Sequence, residues 1–352
     1  MQLETIVAPG DEWDAFVASA SGSTLGHAAA WAQILRDAYR IPTHYLAARG
    51  ADGALAGLLP LASCRTLRGE LELISLPFLD TAGILTTEPD AERILRSGAR
   101  DLARELGASA VELRQPTPLR DGPPPGEQSR VDIVLPLEES EEAQWKALRA
   151  KVRNQTRKAE RSGLQTGPAG PARGRVPAFF APFAVNMRDL GSPTHARRFF
   201  EVAADVFGER LSIHLALLGE HPVGGLVAID YAGTVSVPWA STLRSERARC
   251  PNNLIYWEAI RWAIGRGACS FDFGRSPRDS GTHRFKLGWG GVERELAWTR
   301  FAANGEPLVV AGAGPGTMLQ RLSEVWKRLP VPVATALGGR LRRFIANYVT
   351  PA

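Results

Sequence analysis

Cysteine is scarce in this chain: there are three in 352 residues, Cys64, Cys250 and Cys269. They are odd in number and lack metal-ligand spacing, so a disulfide framework and a cysteine-held zinc are both excluded and no metal is expected. No run approaches the ~20 apolar residues of a membrane span. The opening Met1-Gln-Leu-Glu-Thr-Ile-Val7 has no basic region followed by an apolar core, and a cytoplasmic protein is expected. Nucleophile signatures of the Ser-His-Asp or Cys-His kind are missing too, which argues against a covalent enzyme intermediate.

What is present is a repeat. Gly107-Ala-Ser-Ala-Val-Glu-Leu-Arg114 follows an amphipathic segment, and Gly267-Ala-Cys-Ser-Phe-Asp-Phe-Gly-Arg275 follows another. Leu55-Ala-Gly-Leu-Leu-Pro-Leu61 is matched in the same way by Val223-Gly-Gly-Leu-Val-Ala-Ile229. Length agrees with duplication, since domains run to ~150 residues. A hydrophobic fraction of 44% with 9 Trp and 13 Phe supplies two cores.

Periodicity predicts strands at 3–8, 43–49, 55–62, 71–76, 83–86, 110–115 and 131–137, with helices at 11–20, 27–39 and 90–106. The Pro/Gly-rich stretch 116–127 reads as a surface loop. In the second half Ser192-Pro193 reads as the start of a helix reaching about Phe207. Strands are expected at 212–218, 223–231, 235–242 and 270–274, a helix at 252–265 and one last strand at 293–301. The order of elements therefore repeats. A strand meander, a helix and two further strands is the layout of a GNAT-type acyltransferase. The expected fold class is mixed α/β (α+β), two tandem GNAT-like domains at 1–145 and 146–302, with a basic amphipathic tail at 303–352 packed back on the first domain.

Enzymes of that layout that use acetyl-CoA cradle its pyrophosphate on backbone N–H groups at a helix start, presented by a glycine-rich turn. The corresponding places here, Leu243 to Asn253 and Thr86 to Pro89, contain no glycine. That weakens the coenzyme A reading without removing it.

Net charge is +5, and its distribution is uneven. From Ser140 to Gly163 the apolar positions Trp145, Leu148, Val152, Thr156 and Ala159 make a helical stripe, with Glu141 and Glu142 early and Lys151, Arg153, Arg157, Lys158 and Arg161 late. Macrodipole complementarity on a solvated face accounts for that order. Alternatively Arg153, Arg157 and Arg161, four apart, form one cationic edge for a phosphate-bearing substrate. The densest polar cluster runs from Phe271 to Lys286, a strand opening into a loop that carries Arg275, Ser276, His283 and Arg284. Asp272 has the bland alternative of pairing with an arginine such as Arg275. Trp239, Asn252 and Tyr256 are candidates for an acceptor site, although aromatic residues at such spacings also serve as core.

The runs Met187 to Pro193, Val237-Pro-Trp-Ala-Ser241, Pro251-Asn-Asn-Leu-Ile-Tyr-Trp-Glu258, Phe271 to Ser276 and Asp279 to Lys286, with the basic segment Lys151 to Leu164, resemble the FemAB-related proteins of exosortase-associated exopolysaccharide loci. The broader resemblance is to the Fem-type peptidoglycan bridge aminoacyltransferases, which are two fused GNAT-like domains. It implies transfer of an aminoacyl or acyl group to an amine of a phosphate-bearing peptidoglycan or exopolysaccharide precursor. The implied donor is aminoacyl-tRNA or acyl-CoA, as a co-substrate and not a tightly bound cofactor. By the same resemblance the Phe-Lys pair falls on Phe285-Lys286, the lysine stabilising charge on the reacting carbonyl. Asp272 would orient that lysine or accept the amine proton. The long helical arm of the staphylococcal-type enzymes is missing, so any contact with charged tRNA is made without it.

Two other classes stay open, an acetyl-CoA-dependent N-acyltransferase acting on an amino sugar and a non-catalytic partner of exopolysaccharide biosynthesis proteins. The tail, basic and amphipathic from Met318 to Pro330 and again from Gly339 to Tyr348, also suits peripheral contact with anionic lipid at the inner membrane.

Overall fold

The computed structural model describes residues 1–120, 125, 130–167, 170–309 and 317–345, the side chains of 317–320 excepted. The first stretch holds β1 (Gln2–Ile6), α1 (Asp11–Ser19), α2 (Ala30–Tyr39), β2 (Thr43–Arg49), β3 (Leu55–Arg65), β4 (Leu71–Ile74), β5 (Leu85–Thr86), α3 (Pro89–Leu106) and β6 (Ala110–Gln115). Next come β7 (Arg130–Pro136), α4 (Glu141–Ala147), α5 (Ala150–Arg161), β8 (Leu164–Thr166), α6 (Ala172–Asp189) and α7 (Arg197–Phe207). They are followed by β9 (Leu211–Leu218), β10 (His221–Tyr231), β11 (Thr234–Thr242), α8 (Pro251–Gly265), β12 (Ser270–Pro277), α9 (Gly281–Gly288), β13 (Val292–Arg294) and β14 (Ala297–Phe301). Helices α10 (Thr317–Lys327) and α11 (Val331–Leu341) end the described chain.

These elements build two seven-stranded sheets. The first has the order β1-β2-β3-β4-β6-β14, with β5 on β3. Helix α3 starts with Pro89 at its first position and acids Asp90 and Glu92 in its first turn, and it ends at Gly107, whose φ of 66° a side chain would disfavour. Ala91, Leu95, Ala99 and Ala103 recur every four residues and bury one face on Leu46, Leu59, Leu61, Val111 and Leu113. The second sheet has the order β13-β7-β12-β11-β10-β9-β8. Its core sets Ile133, Val235, Val237, Phe271 and Phe273 against Leu254, Ile255 and Ile260 of α8 and Val152 and Ala159 of α5. Helices α6 and α7 bring an aromatic cluster, Phe179, Phe183, Phe199 and Phe200.

Several expectations change. The two compact units run from Met1 to Arg130 with Glu295 onward through β14, and from Val131 to Arg294 with α10 and α11. The expected boundary at 145 moves because β7 hydrogen-bonds into the second sheet, opposite β13. The single strand expected at 293–301 is two strands in different sheets: β13 pairs with β7, and β14 pairs with β6. The tail helices pack on α6 of the second unit, and Arg188 donates to the Leu329 carbonyl at 3.0 Å.

The single helix read from 140 to 163 is broken at Leu148 and Arg149, both extended. Helix α7 starts at Arg197, not at Ser192, because Ser192, Thr194 and His195 are buried in an irregular segment, where Gly338 of α11 sits so close that a Cβ would lie 2.7 Å from the Thr194 nitrogen. Helix α6 was not legible because Pro177 and Pro182 lie inside it; burial of Phe179 and Phe183 outweighs the interior prolines. The polar loop after Asp279 is mostly helix α9, capped by Ser280, whose Oγ accepts from the His283 N–H at 3.1 Å. Most of the Pro/Gly-rich stretch, 121–124 and 126–129, and the tail from 346 lie outside the described residues.

Candidate active site

Strands β11 and β12 run parallel and pair at Thr234↔Ser270, Val235↔Phe271 and Ser236↔Asp272. Beyond that level β11 continues to Thr242 and β12 to Pro277 without a further paired position. The sheet therefore opens into a wedge whose vertex is Ser236 and Asp272. Gly274, with φ 71°, turns β12 away just past the vertex, and Pro238 in β11 has no N–H to offer a neighbour.

A row of polar side chains crosses four strands at the vertex. Arg294 of β13 lies opposite Asp132 of β7 in register and donates to its carboxylate. Asp132 stands close enough to Asp272 of β12 for its charge to raise that carboxyl, and Asp272 pairs in register with Ser236 of β11. Asp132 is 1% exposed, and the Asp272 side chain keeps 14%. The Arg294 guanidinium stands 3.8 Å from Asp272, and the Gly274 N–H donates to Asp272 at 2.7 Å. Burial and then the Asp132 charge push the Asp272 carboxyl well above the usual carboxylate range, with Arg294 and the Gly274 N–H pulling it partly back.

Lys286 projects from α9 to the splayed end of β12. Its Nζ donates to the carbonyls of Gly274 at 2.7 Å and Arg275 at 3.0 Å, and the residue is 8% exposed. The lysine thus puts a buried cation on the arm of the wedge, and Asp272 is oriented by Asp132, Arg294 and Gly274. The expected pairing of Asp272 with Arg275 is replaced by one with Arg294. His283 accepts from the Asp279 N–H at 3.2 Å, leaving Nε2 as the protonated nitrogen toward Glu293 at 2.9 Å. It ties α9 to β13. Arg284 donates to the Asp279 carbonyl at 2.8 Å on the surface. Ser276 is 1% exposed, and its Oγ has no partner.

The aromatic candidates are core. Phe285 packs on Tyr256 at 5.4 Å and Trp289 at 6.1 Å. Tyr256 is buried against Phe273, and burial raises its hydroxyl pKa. Trp239 joins His195, Phe199 and Phe200. Asn252 lies partly exposed in the first turn of α8, while its neighbour Asn253 is buried with Nδ2 unpartnered.

The basic edge is also divided. Arg153 donates to the carbonyls of Lys146 and Leu148 at the end of α4, so it serves as a helix cap. The Arg157 guanidinium lies over Trp145, 5.4 Å from the ring centre. Arg249, in the 3₁₀ turn Arg244–Arg249 that fills the place of a glycine-rich loop, donates to the Ser162 carbonyl at 2.8 Å. This turn joins the end of α5, and the exposed cations Arg157, Lys158, Arg161, Arg244 and Arg247 belong to the two joined elements. A separate cavity of about 560 Å³ lies at the far edge of the same sheet, lined by His214, Arg175, Glu258, Arg261 and Trp262 among others, and none of the predicted site residues lines it.

Asp132, Arg294 and Asn253 were missed by sequence reasoning. Asp132 left a signal, an acid inside the apolar run Val131-Asp-Ile-Val-Leu135. Arg294 left none, because its partner is 162 residues away.

A parallel pair that opens into a wedge and is covered by helices is the arrangement of a GNAT-like fold. Residues 146–287, in the second unit, match the acetyltransferase (GNAT) domain family. Among solved structures the chain is similar to FemX, at 14% identity and a TM-score of 0.68 over 85% of this chain and 97% of that one. It is similar also to a tandem GNAT protein from the clavulanic acid biosynthesis pathway, at 13% identity and TM-score 0.53 over 90% and 100%. A third is the C-terminal domain of a putative lysylphosphatidylglycerol synthetase from Agrobacterium fabrum, at 12% identity and TM-score 0.51 over 76% and 86%. The tandem GNAT-like architecture is shared with such structures. No curated protein matches the sequence.

Proposed function

We propose that the chain is an aminoacyl- or acyltransferase that forms an amide on an amine of a phosphate-bearing cell-envelope precursor, of peptidoglycan or exopolysaccharide. The observation that carries the reading is the open wedge between β11 and β12, with the Asp272 carboxyl, raised by burial and by the neighbouring Asp132 charge, at its vertex and Lys286 on its arm. The amine nitrogen attacks the donor carbonyl, a C–N bond forms, and the ester C–O or thioester C–S bond breaks with its electron pair on the leaving oxygen or sulfur. The Lys286 cation stabilises the negative charge that develops on the carbonyl oxygen. Asp272 in its ionised form takes the amine proton and passes it to the leaving oxygen or sulfur. The exposed cations of α5 and the 244–249 turn bind phosphates of the donor or acceptor.

The donor divides the reading. The basic 3₁₀ turn in place of a glycine loop favours aminoacyl-tRNA, whereas the GNAT family match favours acyl-CoA. Incubating the purified chain with labelled acetyl-CoA or a charged tRNA pool, with an amine-bearing precursor, decides between them. Salt-sensitive use of charged tRNA supports the first donor, and turnover of acetyl-CoA supports the second. Lys286→Ala should lower transfer by ~10²-fold or more; a folded variant with full activity would remove the lysine from the mechanism. A normal fold with no turnover of either donor would leave the non-catalytic role.

A further inference from the structure

The tail helices are held on one side and bare on the other. Ala334 and Gly338 of α11 and Ser323 of α10 are buried, and both helices pack on α6. Against this anchored side, Leu322 and Val325 of α10 are 52% and 59% exposed, and Val333 and Leu337 of α11 are 43% and 40% exposed. Their spacings, three in α10 and four in α11, put each pair on one helical face.

Charge says what covers this surface. Among the side chains described on the two helices and their linker, Arg321, Lys327, Arg328 and Arg340 are exposed cations, and Glu324 is the exposed acid, paired with Lys327 at 2.6 Å. Helix α11 carries no acid. A second copy of the same face would bring the cations together, and a neutral apolar partner would leave them unanswered. A bilayer rich in anionic lipid offers hydrocarbon for the four apolar side chains and negative headgroups for the cations at the same depth.

We propose that the outer faces of α10 and α11 form a docking surface for anionic lipid, through Leu322, Val325, Val333 and Leu337 flanked by Arg321, Arg328 and Arg340. No helix of the described chain is long and apolar enough to cross a membrane, so attachment is peripheral and reversible. Attachment of this kind would bring the wedge to lipid-linked acceptors. The inference stands independently of the acyl-transfer reading, since binding is measured without substrate.

The test is flotation of the full chain with vesicles of phosphatidylcholine alone and with about a third phosphatidylglycerol, at low and high salt. Binding to the anionic vesicles alone, weakened by salt, is expected. The Val325→Asp/Leu337→Asp variant should lose ~10-fold or more of that binding while keeping the wild-type circular dichroism and Tm. The charge variant Arg328→Glu/Arg340→Glu should lose both binding and its salt sensitivity. If the aspartate variant unfolds, Leu322→Ser/Val333→Ser takes its place. Equal binding to both vesicle types, no binding, or wild-type binding by the variants overturns the proposal. So does a concentration-dependent dimer, seen by sedimentation, that the aspartate variant abolishes, because the occupant would then be a second copy.

Discussion

The two units contain the same wedge built to opposite ends. In the first, β4 and β6 pair in parallel at Glu72↔Ala110, Leu73↔Val111 and Ile74↔Glu112, the same three-step register that β11 and β12 use. Glu112 takes the place of Asp272, at the third pairing level. Past that level the first unit closes its own opening. The Ser75 N–H bonds to the Glu112 carbonyl, and the Ser75 Oγ accepts from the Arg114 N–H at 2.7 Å. The Arg114 side chain, 2% exposed, pairs with Glu112 at 2.9 Å, donates to the Leu79 carbonyl at 2.8 Å and lies over Trp298. Where the first unit has Arg114, the second has Gly274. A long guanidinium anchored to its own strand fills the space a substrate would need, whereas a glycine leaves it open. The duplicated acid is thus a core ion pair in one unit and a carboxyl raised by burial at an open vertex in the other.

The largest effect that separates the two is catalytic. Asp272→Asn should cut transfer by ~10²–10⁴-fold, whereas Glu112→Gln should leave turnover per folded molecule unchanged; equal losses in a steady-state assay would end the contrast between an active and a closed wedge. Next comes stability. Arg114→Met strands Glu112 in the core, and urea unfolding should register a loss of about 3–5 kcal/mol. The sign for Asp272 is different. Because its folded pKa is raised, its protonated form adds stability in full below an unfolded value of ~4, and that contribution disappears as pH rises through the raised pKa. Unfolding free energy should therefore fall across that window in the wild type, and the fall should flatten in Asp272→Asn; an unchanged slope would mean the carboxyl is not perturbed. The smallest effect is at the surface. Arg157→Gln should alter stability by no more than ~0.5 kcal/mol and, if the donor is tRNA, reduce the salt dependence of its binding by about one unit of slope.

Much of the fold was legible. The repeat, the helix α3 with its terminal glycine and the strands 43–49 and 110–115 follow from apolar spacing and punctuation that act within a few residues. Prediction failed where distant chain decided the outcome. The irregular 192–196 segment is held by α11, more than 130 residues later, and the prolines of α6 are tolerated because its phenylalanines are buried by α7. In the candidate site, Lys286 and Asp272 were named through the family resemblance and the dense polar run, and the structure puts both on or beside β12; Phe285, Tyr256 and Trp239 pack with other aromatics, since a ring in a sequence carries no mark of which side faces a core.

By itself the sequence determined a duplicated mixed α/β architecture, the GNAT-type layout and the segment that carries the acid and the lysine, because these depend on local periodicity and on repetition of short strings. Only the tertiary structure decided which of the two wedges is open, that Asp132 and Arg294 complete the row at its vertex, and which faces of the tail helices stay bare. Those outcomes depend on strand register and on contacts across 162 residues or more, where side chains meet only after the sheets have formed.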